Sequence, residues 1–240
     1  MNPYPKLLTE LSKGFIHLFY PELCVACARQ LATNKSCFCI RCKLKLEPTG
    51  HLNCAENEFT ERFYGLAPVR MGTAMYYFNR KTPIQSALHA LKYKNKPEIG
   101  LRLGRSLGAQ LATTPNFELP DAVVPVPLHP QKEKTRGYNQ SARFAQGIAE
   151  SLQIPFWPKA LRREVHTISQ TNKGRIERFS NVQAVFKARQ TDKLKGKHIL
   201  LVDDVLTTGA TMESCCQALL QSEVGSLSLA TIAIAVNRNY

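Results

Sequence analysis

Apolar positions recur along this chain in two rhythms, a helical period near 3.6 residues and short unbroken runs, and the two alternate. Leu7, Leu8, Leu11, Phe15, Leu18 and Phe19 share one helical face and predict a short amphipathic helix that packs on the rest of the protein. Its polar face is not richly basic, which disfavours a membrane-surface role. Residues 49–61 read as a polar connection into residues 72–78, whose apolar and aromatic content predicts a strand. Helices are expected over 82–92 and 98–112, the second with Ile99, Leu103, Leu107 and Leu111 four apart. Residues 121–126, after Pro120, form an apolar run that suits a buried strand. A helix over 141–152, a buried strand over 197–202, a helix over 212–221 and a strand over 227–236 complete the pattern. Strand and helix alternate, so the expected architecture is α/β, a mostly parallel sheet with crossover helices.

The strongest signal is HILLVDDVLTTGAT, from His198 to Thr211. Ile199 to Val202 form the apolar strand, and Asp203 and Asp204 follow at its carboxyl end, where open α/β sheets bind their ligands. The chain has only four aspartates, and two are adjacent here. A turn rich in hydroxyls and small residues then opens a helix, whose first amides are free for an anion. Paired carboxylates can accept hydrogen bonds from two vicinal ribose hydroxyls. The amides from Thr207 through Thr208, Gly209 and Ala210 to Thr211, with the three threonine hydroxyls, can surround a phosphate one sugar carbon further on. Gly209 lets the backbone approach closely. A capped turn without a ligand is the plain alternative, but two charges at a buried strand end need partners. A phosphorelay receiver also ends a strand in paired acids, yet it needs a later aspartate, and none follows Asp204.

Charge placement supports an anion. Of the net +14, residues 91–105, 129–143 and 159–189 carry +13 between them. Such concentration points to phosphate groups or a nucleic-acid backbone, although for 91–105 alone a solvated helix face is the favoured reading. No secretory signal and no apolar run of spanning length is evident, so a cytoplasmic protein without a membrane span is expected. Six of the eight cysteines fall between residues 24 and 54. Cys24-Val-Ala-Cys27 and Cys39-Ile-Arg-Cys42 make two knuckles eleven residues apart, the pattern of one closed, structural tetrahedral Zn²⁺ site. Cys37 and Cys54 are surplus, Cys37 could substitute, and Fe–S ligation is a minor alternative. Cys215 and Cys216 are expected to pack as small apolar residues in the last helix.

The acidic segment resembles the phosphoribosyl-pyrophosphate loop of type I phosphoribosyltransferases, Val205 included. Together with PVPLHPQKEKTRGYNQ, from Pro125 to Gln140, and the cysteine module, it makes the whole chain similar to the ComF family of competence-associated proteins. The resemblance implies a helix and a zinc-ribbon-like module of four cysteine ligands over 1–60, and a phosphoribosyltransferase domain over 61–240. It places a pyrophosphate loop at 127–140, where Lys132, Lys134, Arg136, Tyr138 and Asn139 lie, with Mg²⁺ bridging the pyrophosphate oxygens. Arg136 is the best placed for bidentate phosphate contact. The resemblance also implies a closing loop over 161–185, with Arg163, Thr167, Gln170, Thr171, Arg175, Arg178 and Asn181. Its family association implies natural transformation, with single-stranded DNA and a DNA-uptake helicase or processing protein as partners. Two functions stay open: a transferase using phosphoribosyl pyrophosphate, or an uptake factor that keeps the nucleotide site without turnover.

Overall fold

The computed structural model describes residues 21–33, 36–164 and 186–235. The helix expected over 7–20 and most of the loop over 161–185, Arg175 included, lie outside them. The elements run α1 (Ile40–Lys43), a 3-10 turn (His51–Asn53), α2 (Glu58–Glu61), β1 (Val69–Tyr77), α3 (Pro83–Tyr93), α4 (Pro97–Thr113), β2 (Ala122–Pro125), α5 (Pro130–Arg136), α6 (Gln140–Leu152), β3 (Leu161–Arg163), β4 (Phe186–Ala188), α7 (Thr191–Leu194), β5 (His198–Leu206), α8 (Ala210–Leu220) and β6 (Ser226–Ile234).

Four strands make a parallel sheet in the order β1-β6-β5-β2, and β3 and β4 pair antiparallel as a separate ribbon. β5 lies inside the sheet, and Ile199 to Val202 are fully buried, as a continuous apolar run requires when helices cover both faces. One face carries Leu88 and Leu91 of α3, Leu103, Leu107 and Leu111 of α4 and Phe144 and Ile148 of α6. The other carries Phe59, Phe63, Leu194 and the α8 residues Met212, Cys215, Cys216 and Leu219. Both terminal cysteines are therefore core residues, as expected from the helical pattern.

The cysteine module is seated on the sheet's first face: Cys24, Leu31, Cys37 and Phe38 join the same core as Ile99 and Leu103. The chain leaves it along β1, where Thr49 N–H donates to Met75 O at 3.2 Å and Tyr77 N–H to Glu47 O at 2.9 Å.

Four expectations need correction. Residues 49–61 are not a plain connection. They hold a 3-10 turn and α2, whose Asn57 cap accepts from the amides of Phe59 and Thr60 while Thr60 Oγ1 accepts from the Asn57 amide. Four helical residues are too few to show a period, and the capping box was the available signal. The loop over 127–140 contains α5, capped by His129, started by Pro130 and closed by left-handed Gly137. It buries no residue, so it lacks an apolar stripe. The segment 161–185 opens with β3 instead of loop. β5 does not stop at Val202 but runs on through both acids to Leu206, paired with Ile234 of β6. Two charges masked the strand's continuation.

Candidate functional site

Asp203 and Asp204 are adjacent strand residues, whose side chains diverge, and each finds a different partner. Asp203 Oδ1 accepts from Ser141 Oγ at 2.7 Å and from the Asp204 amide at 2.8 Å. Asp204 Oδ2 lies 2.8 Å from Lys92 Nζ. Ser141 is in the first turn of α6, whose start is fixed by Asn139. That side chain accepts from the Ser141 amide at 3.0 Å and donates to Val126 O, just past β2, at 2.9 Å. The end of β2, the start of α6 and the end of β5 are thereby locked together.

Burial pushes the Asp203 carboxyl up to about 7, with the neighbouring Asp204 charge acting the same way; the Ser141 hydrogen bond, the Asp204 amide and Lys92 oppose them. A carboxylate raised this far above 3.8, at a strand's carboxyl end, is where functional groups cluster.

The turn beyond the acids is open. Thr207, Thr208, Ala210 and Thr211 are exposed and Val205 is half-buried. Gly209 adopts φ +92°, a left-handed conformation that side chains rarely accept. The turn is braced from below by Arg62, which follows α2. Its guanidinium donates to Thr207 O and, at 2.6 Å, to Ala235 O. Neither Arg62 nor Lys92 nor Ser141 was anticipated. Each acts across the fold, and only Ser141, the residue after the Pro125–Gln140 motif, had a local signal.

The cations divide into two groups. Arg136 sits 5.6 Å over the Tyr93 ring at the end of α3. Tyr138 is 8% exposed, and its hydroxyl donates to Leu91 O, so in this structure it docks the loop onto α3. Lys132 and Lys134 are exposed on α5. Arg163, over the Phe186 ring at 5.4 Å, instead lines a cleft of about 730 Å³ between the loop after β2 and the β3–β4 ribbon. Lys159, Arg162 and Arg189 share that cleft with Glu133 and Glu164. Arg162 and Lys187 both pair with Glu164, at 2.8 and 3.0 Å.

In the cysteine module the Sγ atoms of Cys24, Cys27, Cys39 and Cys42 all lie within 4.8 Å of one another. A tetrahedron with metal–sulfur bonds of about 2.3 Å needs sulfur separations near 3.8 Å, so the four fit one thiolate-bound metal. Cys37 stands apart. It is buried, 3.8 Å from Ile99 O, and burial pushes its thiol up to about 12.

Residues 139–239 match the family model described as the phosphoribosyl transferase domain. That match holds β5 and β6, and with β1 and β2 completing the parallel order β1-β6-β5-β2 between flanking helices, the chain has the type I phosphoribosyltransferase fold. Its sequence relatives are more particular. DNA utilization protein YhgH of Escherichia coli is 28% identical over 212 residues, covering 86% of this chain and 88% of that protein. Competence protein F of Haemophilus influenzae is 26% identical, covering 93% and 95%. Competence protein ComFC of Bacillus subtilis is 26% identical, covering 78% and 79%. Over most of its length the chain is thus homologous to YhgH, competence protein F and ComFC. Among solved structures, glutamine phosphoribosylpyrophosphate amidotransferase from B. subtilis aligns at 18% identity and a TM-score of 0.43, over 61% of this chain and 30% of that one. Among the described residues, no helix is long and apolar enough to cross a membrane.

Proposed function

We propose that the end of β5 and the turn before α8 bind phosphoribosyl pyrophosphate together with Mg²⁺, and that the protein serves DNA uptake as a phosphoribosyltransferase. The observation that carries the reading is the acidic pair held on the half-buried end of β5, directly before an open threonine turn and an eleven-residue helix start. Carboxylates accept, so the pair suits the 2- and 3-hydroxyls of a ribose. Amides and hydroxyls donate, so the turn suits its 5-phosphate.

The expected chemistry breaks the bond from ribose C1 to a pyrophosphate oxygen and forms one from C1 to an acceptor nitrogen. The acceptor's proton passes to solvent, and the transition state is oxocarbenium-like. Asp203 and Asp204 would hold the ring in place, and the cations near the loop after β2 would balance the leaving charge. A Mg²⁺ keeps several waters and favours phosphate oxygens, so its place would be on the pyrophosphate. The two acids are already engaged by Ser141 and Lys92, which fits a site where the ligand brings most of the metal's oxygens.

Uptake of DNA is supported by the names of the homologues, and contact with single-stranded DNA by the cleft bearing Lys159, Arg162, Arg163 and Arg189. A structural Zn²⁺ in the four-cysteine site would hold the module against the sheet.

The test is isothermal titration with phosphoribosyl pyrophosphate and MgCl₂, followed by pyrophosphate release with adenine, hypoxanthine and uracil as acceptors. The double variant Asp203→Ala/Asp204→Ala should not bind; unchanged affinity would remove the site. Binding without release would leave the uptake-factor reading. Filter binding of single-stranded oligonucleotides should weaken steeply as salt rises, and a flat response would argue against phosphate contacts.

A further inference from the structure

The basic residues of 91–105 read in the sequence as a solvated helix face, but one of them is spent inside the site. Lys92, in the last turn of α3, reaches Asp204 at 2.8 Å, with the two side chains only 27% and 15% exposed. Its chain neighbours touch the opposite half of the site. Leu91 O accepts the Tyr138 hydroxyl, and the Tyr93 ring lies under the Arg136 guanidinium at 5.6 Å. Three consecutive residues therefore join the acidic pair to the loop after β2.

We propose that Lys92 is a positioning residue for the carboxylates of Asp203 and Asp204 that receive the ribose, and that the last turn of α3 fixes them relative to the pyrophosphate side of the site. The proposal rests on the ribose reading given above. An ammonium donates from a single point, and a carboxylate has about four acceptor positions, so Lys92 can orient Asp204 and still leave it free to accept ribose hydroxyls. Without the ammonium two neighbouring carboxylates repel each other in a sheltered place. An exposed ion pair would contribute little, but this one is largely sheltered from water, where charge-assisted bonds are stronger.

The groups that face Asp203 are Asp204 on its own strand, Lys92 from α3, the Ser141 hydroxyl from α6 and the Cys215 thiol from α8. Lys92 is the one cation in that set among the described residues, so its removal has a signature that a packing defect lacks.

The experiment compares wild type, Lys92→Met, Lys92→Arg and Asp203→Ala/Asp204→Ala. Two readouts are used: titration with phosphoribosyl pyrophosphate and MgCl₂ from pH 6 to 8.5, and ligand-free carboxyl NMR of Asp203. Lys92→Met should bind about tenfold more weakly, the loss expected for one charge-assisted bond. Its Asp203 midpoint should move above the wild-type value near 7. Lys92→Arg should restore most of both. If Lys92→Met does not fold, Lys92→Gln keeps a donor without the charge and should still raise the midpoint. A Lys92→Met protein with wild-type affinity and an unmoved Asp203 titration overturns the proposal. Wild type that fails to bind removes the ribose reading instead, and the ligand-free titration shows which of the two has failed.

Discussion

Ser141 donates its hydroxyl to Asp203 Oδ1 across 2.7 Å, linking the first turn of α6 to the end of β5. The bond stabilises the ionised carboxylate against burial and against Asp204. Ser141→Ala should therefore raise the Asp203 midpoint further above about 7 and weaken phosphoribosyl pyrophosphate binding most at low pH. Hydrogen bonds to charged groups are worth about 1.5–3 kcal/mol, so a loss of roughly tenfold or more is expected near neutrality. Titration calorimetry at pH 6.5 and 8.5 measures it, with wild type as reference so that the ligand's own ionisation cancels. Equal loss at both pH values would point to a displaced helix and not to the carboxylate.

The raised Asp203 carboxyl has a consequence for stability. Its folded value of about 7 lies above the ordinary 3.8, so the folded state favours the protonated form. Well below pH 3.8 the group is protonated in both states and has no net effect. As pH rises towards 7 the unfolded chain ionises first, and stability falls until the folded group ionises as well. Asp203→Asn removes this charge while keeping an acceptor for Ser141. The variant should melt above wild type at pH 8, and the difference should vanish below about pH 3. For a domain of this size each kcal/mol corresponds to roughly 2–4 °C in Tm. A variant less stable at pH 8 would refute the assignment of burial as the dominant cause.

Reading the sequence located the acids and the threonine turn because their chemistry is local: a buried apolar run, two charges, then hydroxyls and a glycine within fourteen residues. The sheet's strands and the helices α3, α4, α6 and α8 were legible for the same reason, since each carries its own period. What escaped was of two kinds. Short elements such as α2 and α5 present too few residues for any period, and the polar tail of β5 broke the apolar run that marks a strand. Long-range partners escaped altogether. Lys92 lies 112 positions before Asp204 and Arg62 lies 145 before Thr207, and no local pattern distinguishes them from solvated cations.

The cysteine module separates four clustered thiols from a core thiol. Cys39 is one of four sulfurs within 4.8 Å, whereas Cys37, two residues earlier, is buried beside Ile99. Cys39→Ser should lower bound Zn²⁺ from about one per chain towards none. Cys37→Ser should keep the metal and lose some stability from a hydroxyl placed in an apolar site. Metal analysis by mass spectrometry together with thermal melting distinguishes the two, and zinc loss in Cys37→Ser would reassign the fourth ligand.

The helix that carries Ser141 is set in place by glycines. A Cβ built on Gly104 of α4 would stand 2.1 Å from the Phe144 carbonyl oxygen of α6, and one on Gly147 would stand 2.2 Å from Leu101 O. Both obstacles are backbone, which cannot rotate aside, so either substitution must push the helices apart. Alanine is intrinsically the better helix former by about 0.8–1 kcal/mol, which works against this effect. Overpacking typically costs about 1–3 kcal/mol, and a clash this close with main chain belongs at the upper end, so the net change should destabilise. Displacing α6 also withdraws Ser141 from Asp203. Gly104→Ala should therefore lower Tm and reproduce part of the Ser141→Ala binding defect, although residue 104 touches neither acid. Raised Tm would show that α4 and α6 have room to spare, and lowered Tm with unchanged affinity would uncouple the helix packing from the site.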